Sequence, residues 1–197
     1  LNKPARGDAP GAWANTSSRS RDGRTSSRRH TGCASTGCDV GGFTGEPTPE
    51  LFARWISMAA FTPFYRTHTA KHTPPQEPWS FGPEVQAIAR TYLFWRYRVL
   101  PYLCKPFWQC SQTGVPIMRP LVLADASTPA LQQADDQRFL GDHLLVSPVL
   151  EAGVAARTLL LPQMRWTGSS QQGWYDFWTD EHLVGVSSVT RAAPLDL

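Results

Sequence analysis

The chain has 197 residues, 41% of them apolar and 18% charged, with 8 Trp, 9 Phe and 5 Tyr, a composition that fits an aromatic-rich globular protein and excludes collagen, mucin and coiled coil. The length allows one large or two small domains with a buried core, yet falls short of a complete (β/α)8 barrel of roughly 250 residues. The net charge of +3 is local: residues 1–32 hold seven Lys and Arg against two Asp, and the other 165 hold twelve against fourteen acids, so the body offers no basic surface to a nucleic acid or an anionic membrane.

No run approaches the roughly 18 apolar residues of a membrane span. Leu1 and Trp13 are the only large apolar residues before Cys33. That is not the apolar stretch of a secretory signal, and a cytoplasmic location is the expectation that follows. Residues 1–37 are rich in Ser, Thr, Arg and Gly, as in Ser17-Ser18-Arg19-Ser20-Arg21, and read as a separate low-complexity segment that does not fold alone.

The texture changes at Cys38. A Gly-rich turn, Asp39-Val40-Gly41-Gly42-Phe43, leads to a helix opened by Pro49 and Glu50, with Leu51, Phe52, Trp55, Ile56 and Ala59 on overlapping faces. Phe61 to Tyr65 reads as a short buried strand that delivers Arg66 and His68 into a loop with Pro74, Pro75 and Pro78. That loop is too long for a mere connector. From Pro83 the spacing Val85, Ile88, Ala89, Tyr92, Trp95, Val99, Leu103 predicts a long amphipathic helix with a kink or break at Pro101 and Pro106. Its aromatics Trp95, Phe107 and Trp108 are expected to pack inward.

Beyond Gly114 the runs Val115–Met118, Leu121–Leu123, His143–Val149, Arg157–Leu161 and Trp174–Trp178, separated by turn residues, predict antiparallel β structure, read as a sandwich. Asp135 and Asp136 read as surface or turn acids, and Asp176 as a strand or hairpin residue. The four cysteines, at 33, 38, 104 and 110, form no C-x-x-C pair. No metal site is expected from them, and Cys104 and Cys110 read as buried free thiols.

Two groups of residues could carry chemistry. The Gly41-Gly42 turn brings Asp39 and Phe43 together, and it has neither the G-x-G-x-x-G context of a dinucleotide site nor a P-loop lysine. His68 and Arg66 place a polar ring and a fixed cation beside many aromatic faces. Such a mixture suits a sugar, whose C–H faces stack on rings while its hydroxyls need polar partners. A plain turn and a structural histidine are the alternatives, and composition alone leaves them open.

The motifs, taken together, resemble a family. Cys38-Asp39-Val40-Gly41-Gly42-Phe43-Thr44-Gly45, Phe61-Thr62-Pro63-Phe64-Tyr65-Arg66-Thr67-His68, Pro78-Trp79-Ser80-Phe81-Gly82, Arg96 to Tyr102, Gly114 to Leu121, Leu144 to Val149 and Trp174 to Trp178 are similar to signatures of glycoside hydrolase family 31, the α-glucosidase and α-xylosidase family, in the family's order. The resemblance implies an α/β plus all-β fold: a C-terminal portion of a (β/α)8 barrel over 38–118, then a proximal C-terminal β-sandwich over 119–197. It implies that Asp39, Phe43 and His68 line the subsite for the non-reducing-end sugar, with Arg66 a neighbour only.

Catalysis in the family is retaining, by two aspartates about 5 to 5.5 Å apart, and needs neither metal nor cofactor. Gly7-Asp8-Ala9-Pro10-Gly11-Ala12-Trp13 resembles the acid/base motif G-D-N-x-x-x-W with Ala9 for Asn, which makes Asp8 the acid/base candidate. Nothing in residues 1–37 resembles the nucleophile's motif. The tract 16–32 has about the right length for the intervening helix and strand but the wrong chemistry, which points to a shifted reading frame or to a flexible insertion. The expectation is a fragment of a retaining α-glycoside hydrolase acting on α-linked oligosaccharides, inactive as this chain and exposing apolar surface. A non-catalytic carbohydrate-binding or interaction protein is the alternative. No nucleic-acid or membrane partner is expected, and the sequence does not specify an oligomeric state.

Overall fold

The computed structural model describes residues 37–163, 173–184 and 187–196; the segment 1–36, with the expectation that it is disordered or frame-shifted, lies outside them. The first described strand, β1 (Asp39–Val40), leads through the Gly turn to helix α1 (Pro49–Ala59). Pro49 opens the helix as predicted, and the Thr48 hydroxyl caps it by accepting from the Leu51 amide at 3.2 Å. Strand β2 (Arg66–Thr67) then pairs parallel to β1, with Asp39 opposite Arg66 and Val40 opposite Thr67. A helix joining two parallel strands is the βαβ unit of a barrel. Among the described residues no closed barrel forms.

The strand predicted over Phe61 to Tyr65 is instead a turn, and β2 begins only at Arg66. Its carbonyls face a cation rather than a ladder: the buried Arg96 guanidinium donates to the carbonyls of Ala60 at 3.0 Å, Pro63 at 2.9 Å, and Thr62. The Thr62 hydroxyl sits 2.7 Å from the carbonyl oxygens of both Ala59 and Phe64, closing the turn from within.

Helix α2 runs from Pro83 to Thr113 without interruption, so the expected break at Pro101 and Pro106 does not occur. Those prolines remove two backbone donors, but Val99, Leu103, Pro106 and Cys110 form one buried stripe, packed with Ile117, Met118 and Leu140. The helix stops at Gly114 in the left-handed region, whose amide donates to the Cys110 carbonyl at 2.9 Å. Phe107 and Trp108 lie off that stripe and face solvent, Trp108 being 65% exposed, and Cys104 is exposed while Cys110 is buried. The inward placement expected for both aromatics and for Cys104 is thereby corrected by the 3.6-residue period itself.

The remainder is antiparallel β structure. Strand β3 (Met118–Pro120) is followed by a 3-10 turn at Leu121–Leu123, where a strand was predicted, and by the short helix α3 (Pro129–Gln133). Strands β4 (Arg138–Leu140) and β5 (Leu144–Val146) complete a sheet in the order β3-β4-β5. Strand β6 (Ala156–Leu160), the hairpin of β7 (Trp174–Tyr175) with β8 (His182–Leu183), and β9 (Ser188–Ala192), which pairs with β6, follow. Helix α3 and strands β4, β8 and β9 have no counterpart in the predicted runs.

Three of the contacts that fasten this region to the helices run through Arg54, Tyr102 and Trp95. Arg54, buried on α1, donates to the carbonyls of Pro194 at 2.7 Å, Ala193 at 2.8 Å and Val154 at 3.2 Å, while the Glu50 carboxylate accepts from the Gly153 amide at 2.9 Å. The Tyr102 hydroxyl on α2 donates to the Leu140 carbonyl at 2.6 Å and accepts from the His143 amide at 3.1 Å. Gly141 is required beside it: its φ is 63°, and a Cβ there would lie 2.5 Å from the Tyr102 oxygen. Third, Phe177 and Trp178 at the tip of the β7-β8 hairpin pack edge-on against Trp95 at 5.0 and 5.7 Å, and against Phe61 at 5.7 and 6.5 Å.

Asp176 sets that tip. Its carboxylate accepts from the amides of Trp178 at 2.9 Å and Thr179 at 3.1 Å, and from Arg191 on β9 at 2.9 Å. Burial raises the Asp176 pKa, but these donors outweigh it and leave the carboxyl below its ordinary value. Asp142, held by Gln109 and Arg119 against a similar burial cost, is lowered in the same way. Both contributions are complete above the unfolded carboxylate range near 4 and disappear as pH falls through the lowered folded values. Asp176→Ala is expected to cost about 1 to 3 kcal/mol in urea unfolding at neutral pH, and less as the solution is acidified toward pH ~2. An unchanged midpoint would remove the carboxylate from this role.

Candidate functional site

The carboxyl ends of two adjacent parallel strands place their following loops side by side, and that is where a barrel gathers its working residues. Here the loop after β1 carries Phe43 and the loop after β2 begins with His68. Their rings lie 5.4 Å apart, tilted by 34°, and both residues are exposed. On the strands themselves the Asp39 carboxylate accepts from Arg66 Nε at 2.7 Å across the pair. Arg66 also lies over the Phe64 ring, 5.0 Å from its centroid. Of the three residues singled out in the sequence, Phe43 and His68 are brought together, while Asp39 is paired with Arg66 across the strands. Arg66, expected as a neighbour only, is the hydrogen-bonded partner of Asp39.

Several contacts make the turn rigid. Gly41 and Gly42 have φ of 86° and 92°, values that side chains rarely adopt, and the Gly42 amide donates to the Asp39 carbonyl at 3.0 Å. The Trp55 indole donates to the Cys38 sulfur at 2.9 Å, tying α1 to the start of β1. The loop after β2 returns to the same turn: the Ala70 amide donates to the Phe43 carbonyl at 2.8 Å, and the buried Gln76 donates from Nε2 to the Gly42 carbonyl at 3.3 Å. Gln76 escaped the sequence reading. The available signal was the length of its loop, which exceeds what a connection needs.

The arrangement offers an exposed aromatic face beside an imidazole, and a carboxylate paired with a guanidinium on the strands that lead to them, residue types suited to a polyhydroxylated ligand with apolar C–H faces. No cluster of three metal-ligating side chains occurs among the described residues. Asp8, the acid/base candidate, lies outside the described residues.

The sequence profile of the glycosyl hydrolases family 31 TIM-barrel domain matches residues 6–105, and that of the family's C-terminal domain matches residues 114–197. The chain belongs to glycoside hydrolase family 31. Among its relatives, mouse neutral alpha-glucosidase AB is 38% identical over 145 residues, which is 74% of this chain and 15% of that protein. Among solved structures, the heterodimeric complex of ER glucosidase II superposes with a TM-score of 0.74 at 30% identity, over 82% of this chain and 17% of the matched chain. The cycloalternan-degrading enzyme of Trueperella pyogenes, solved with a covalent intermediate, superposes with a TM-score of 0.72 at 34% identity, over 81% and 22%. The chain therefore spans between a seventh and a quarter of the length of these proteins.

The Asp39–Arg66 pair is half open to water on the arginine side, which limits its worth to folding. Arg66→Met is expected to change stability by no more than about 1 kcal/mol, measured by urea unfolding, while altering the chemical shift of the Asp39 carboxylate carbon. A larger loss would make the pair a structural strut.

Proposed function

We propose that this chain forms the last barrel strands and the proximal C-terminal β-sandwich of a retaining α-glycoside hydrolase acting on α-linked oligosaccharides, in which Asp39, Phe43 and His68 form one wall of the subsite for the non-reducing-end sugar. The observation that carries the reading is the meeting of Phe43 with His68 in the loops that follow two parallel strands, which Asp39 and Arg66 open as a hydrogen-bonded pair. The α-glucosidase relatives support the substrate class. A covalent intermediate in one solved relative supports the retaining route, in which a carboxylate nucleophile forms a glycosyl-enzyme intermediate that water then resolves. In that chemistry Asp8 is the acid/base candidate.

Nothing in residues 1–37 resembles the motif of the second carboxylate, and a route that needs two is closed when one is missing. The 197 residues alone are therefore a sugar-facing wall without turnover. Incubation with p-nitrophenyl α-D-glucopyranoside is expected to release no nitrophenol above the rate in buffer; release that scales with protein concentration would overturn the inactive reading. Calorimetric titration with maltose or isomaltose at millimolar concentration is expected to give a weak heat, since only one wall is in place. Complete absence of heat would remove the sugar assignment.

A further inference from the structure

Gln76 lies near the end of the loop that His68 begins, and it is only 4% exposed. Its Nε2 donates to the Gly42 carbonyl, while its Oε1 is buried without a hydrogen-bond partner. Buried amides ordinarily satisfy both ends. Here the acceptor end faces Gly41, where any Cβ would come within 2.2 Å of it. Exchanging the two ends of the amide would set its oxygen against the Gly42 carbonyl oxygen, so the donor's position is fixed by chemistry. A side chain serving only to fill volume would be served better by Met or Leu, which bury no unpaired acceptor. From the other end of the same loop the Ala70 amide holds the Phe43 carbonyl. Two successive carbonyls of the turn are thus gripped by one loop, and that loop starts at His68.

We propose that Gln76 is a positioning residue: by holding the Gly42 carbonyl it sets Phe43 against His68, and with them the spacing and tilt of the wall. The consequence for a ligand rests on the sugar reading above, whereas the geometric effect does not. Gly41 is its necessary counterpart, because only a residue without a side chain leaves room for the amide.

The test is solution NMR on the full chain. In the wild type, a nuclear Overhauser contact between the Phe43 ring and the His68 imidazole is expected, together with slow solvent exchange of the Gln76 side-chain amide protons. Gln76→Met keeps the volume and removes the donor; the Phe43–His68 contact is expected to be lost while the resonances of Trp95, Phe177 and Trp178 stay in place. Persistence of the contact in Gln76→Met overturns the proposal. So does free-amide exchange of Gln76 in the wild type, a measurement that decides the matter even if the variant does not fold. Titration with methyl α-D-glucoside separates the two readings. A Gln76-dependent ring contact with no sugar-induced shift at Phe43 or His68 would sink the sugar assignment and leave the positioning intact. Sugar-induced shifts that are identical in Gln76→Met would overturn the effect on the wall.

Discussion

Eleven residues of helix with eight of them buried cannot hold themselves together, and α1 is the element from which the other placements follow. A three-turn helix in water is marginal by itself, so its persistence depends on what covers it. Strand β1 and α2 cover one side, through Val40, Val85, Ile88, Ala89 and Tyr92. The backbone at residues 154, 193 and 194 covers another, through Arg54. Strands β1 and β2 are two residues each and supply few ladder hydrogen bonds. Their parallel alignment, and with it the meeting of Phe43 and His68, is imposed by the helix that crosses between them.

Two buried guanidinium groups do similar work. Arg54 and Arg96 each donate to three backbone carbonyls, satisfying acceptors that irregular backbone would otherwise bury unpaired. Burial lowers the pKa of both, opposed chiefly by Glu50 for Arg54 and by Tyr65 for Arg96. A guanidinium stays charged through such a shift. Because its partners are neutral carbonyls within the protein, screening by salt weakens these bonds far less than it would a surface ion pair.

Where the sequence was legible, a physical rule acted locally. Pro49-Glu50 opens α1 because the fixed proline φ needs only neighbours, and the buried stripe of α2 follows from a period of 3.6. Asp39, Phe43 and His68 were singled out through a turn, an aromatic run and a family resemblance, not through any local rule that sets Phe43 against His68. The failures were non-local. Phe61 to Tyr65 has the composition of a strand, but Arg96, more than thirty residues away, claims its carbonyls. Pro101 and Pro106 signal a break, yet tertiary packing on Ile117, Met118 and Leu140 outweighs the missing donors. Gln76 was silent because a buried glutamine has no pattern until its partner is known.

Helix α2 belongs to two cores at once. Its first turns pack with α1 through Val85, Ile88, Ala89 and Tyr92, and its last turns pack with β3 and β4 through Val99, Leu103 and Cys110. At about 1.5 Å per residue its 31 residues amount to roughly 46 Å of continuous helix that carries both clusters. Recombination that exchanged the β region between relatives at the loop after Gly114 would therefore leave half of one core behind. A crossover inside the helix, between Tyr92 and Val99, divides the two clusters along α2, but it still parts Arg54 and Phe61 from the carbonyls and rings of the β region that they hold.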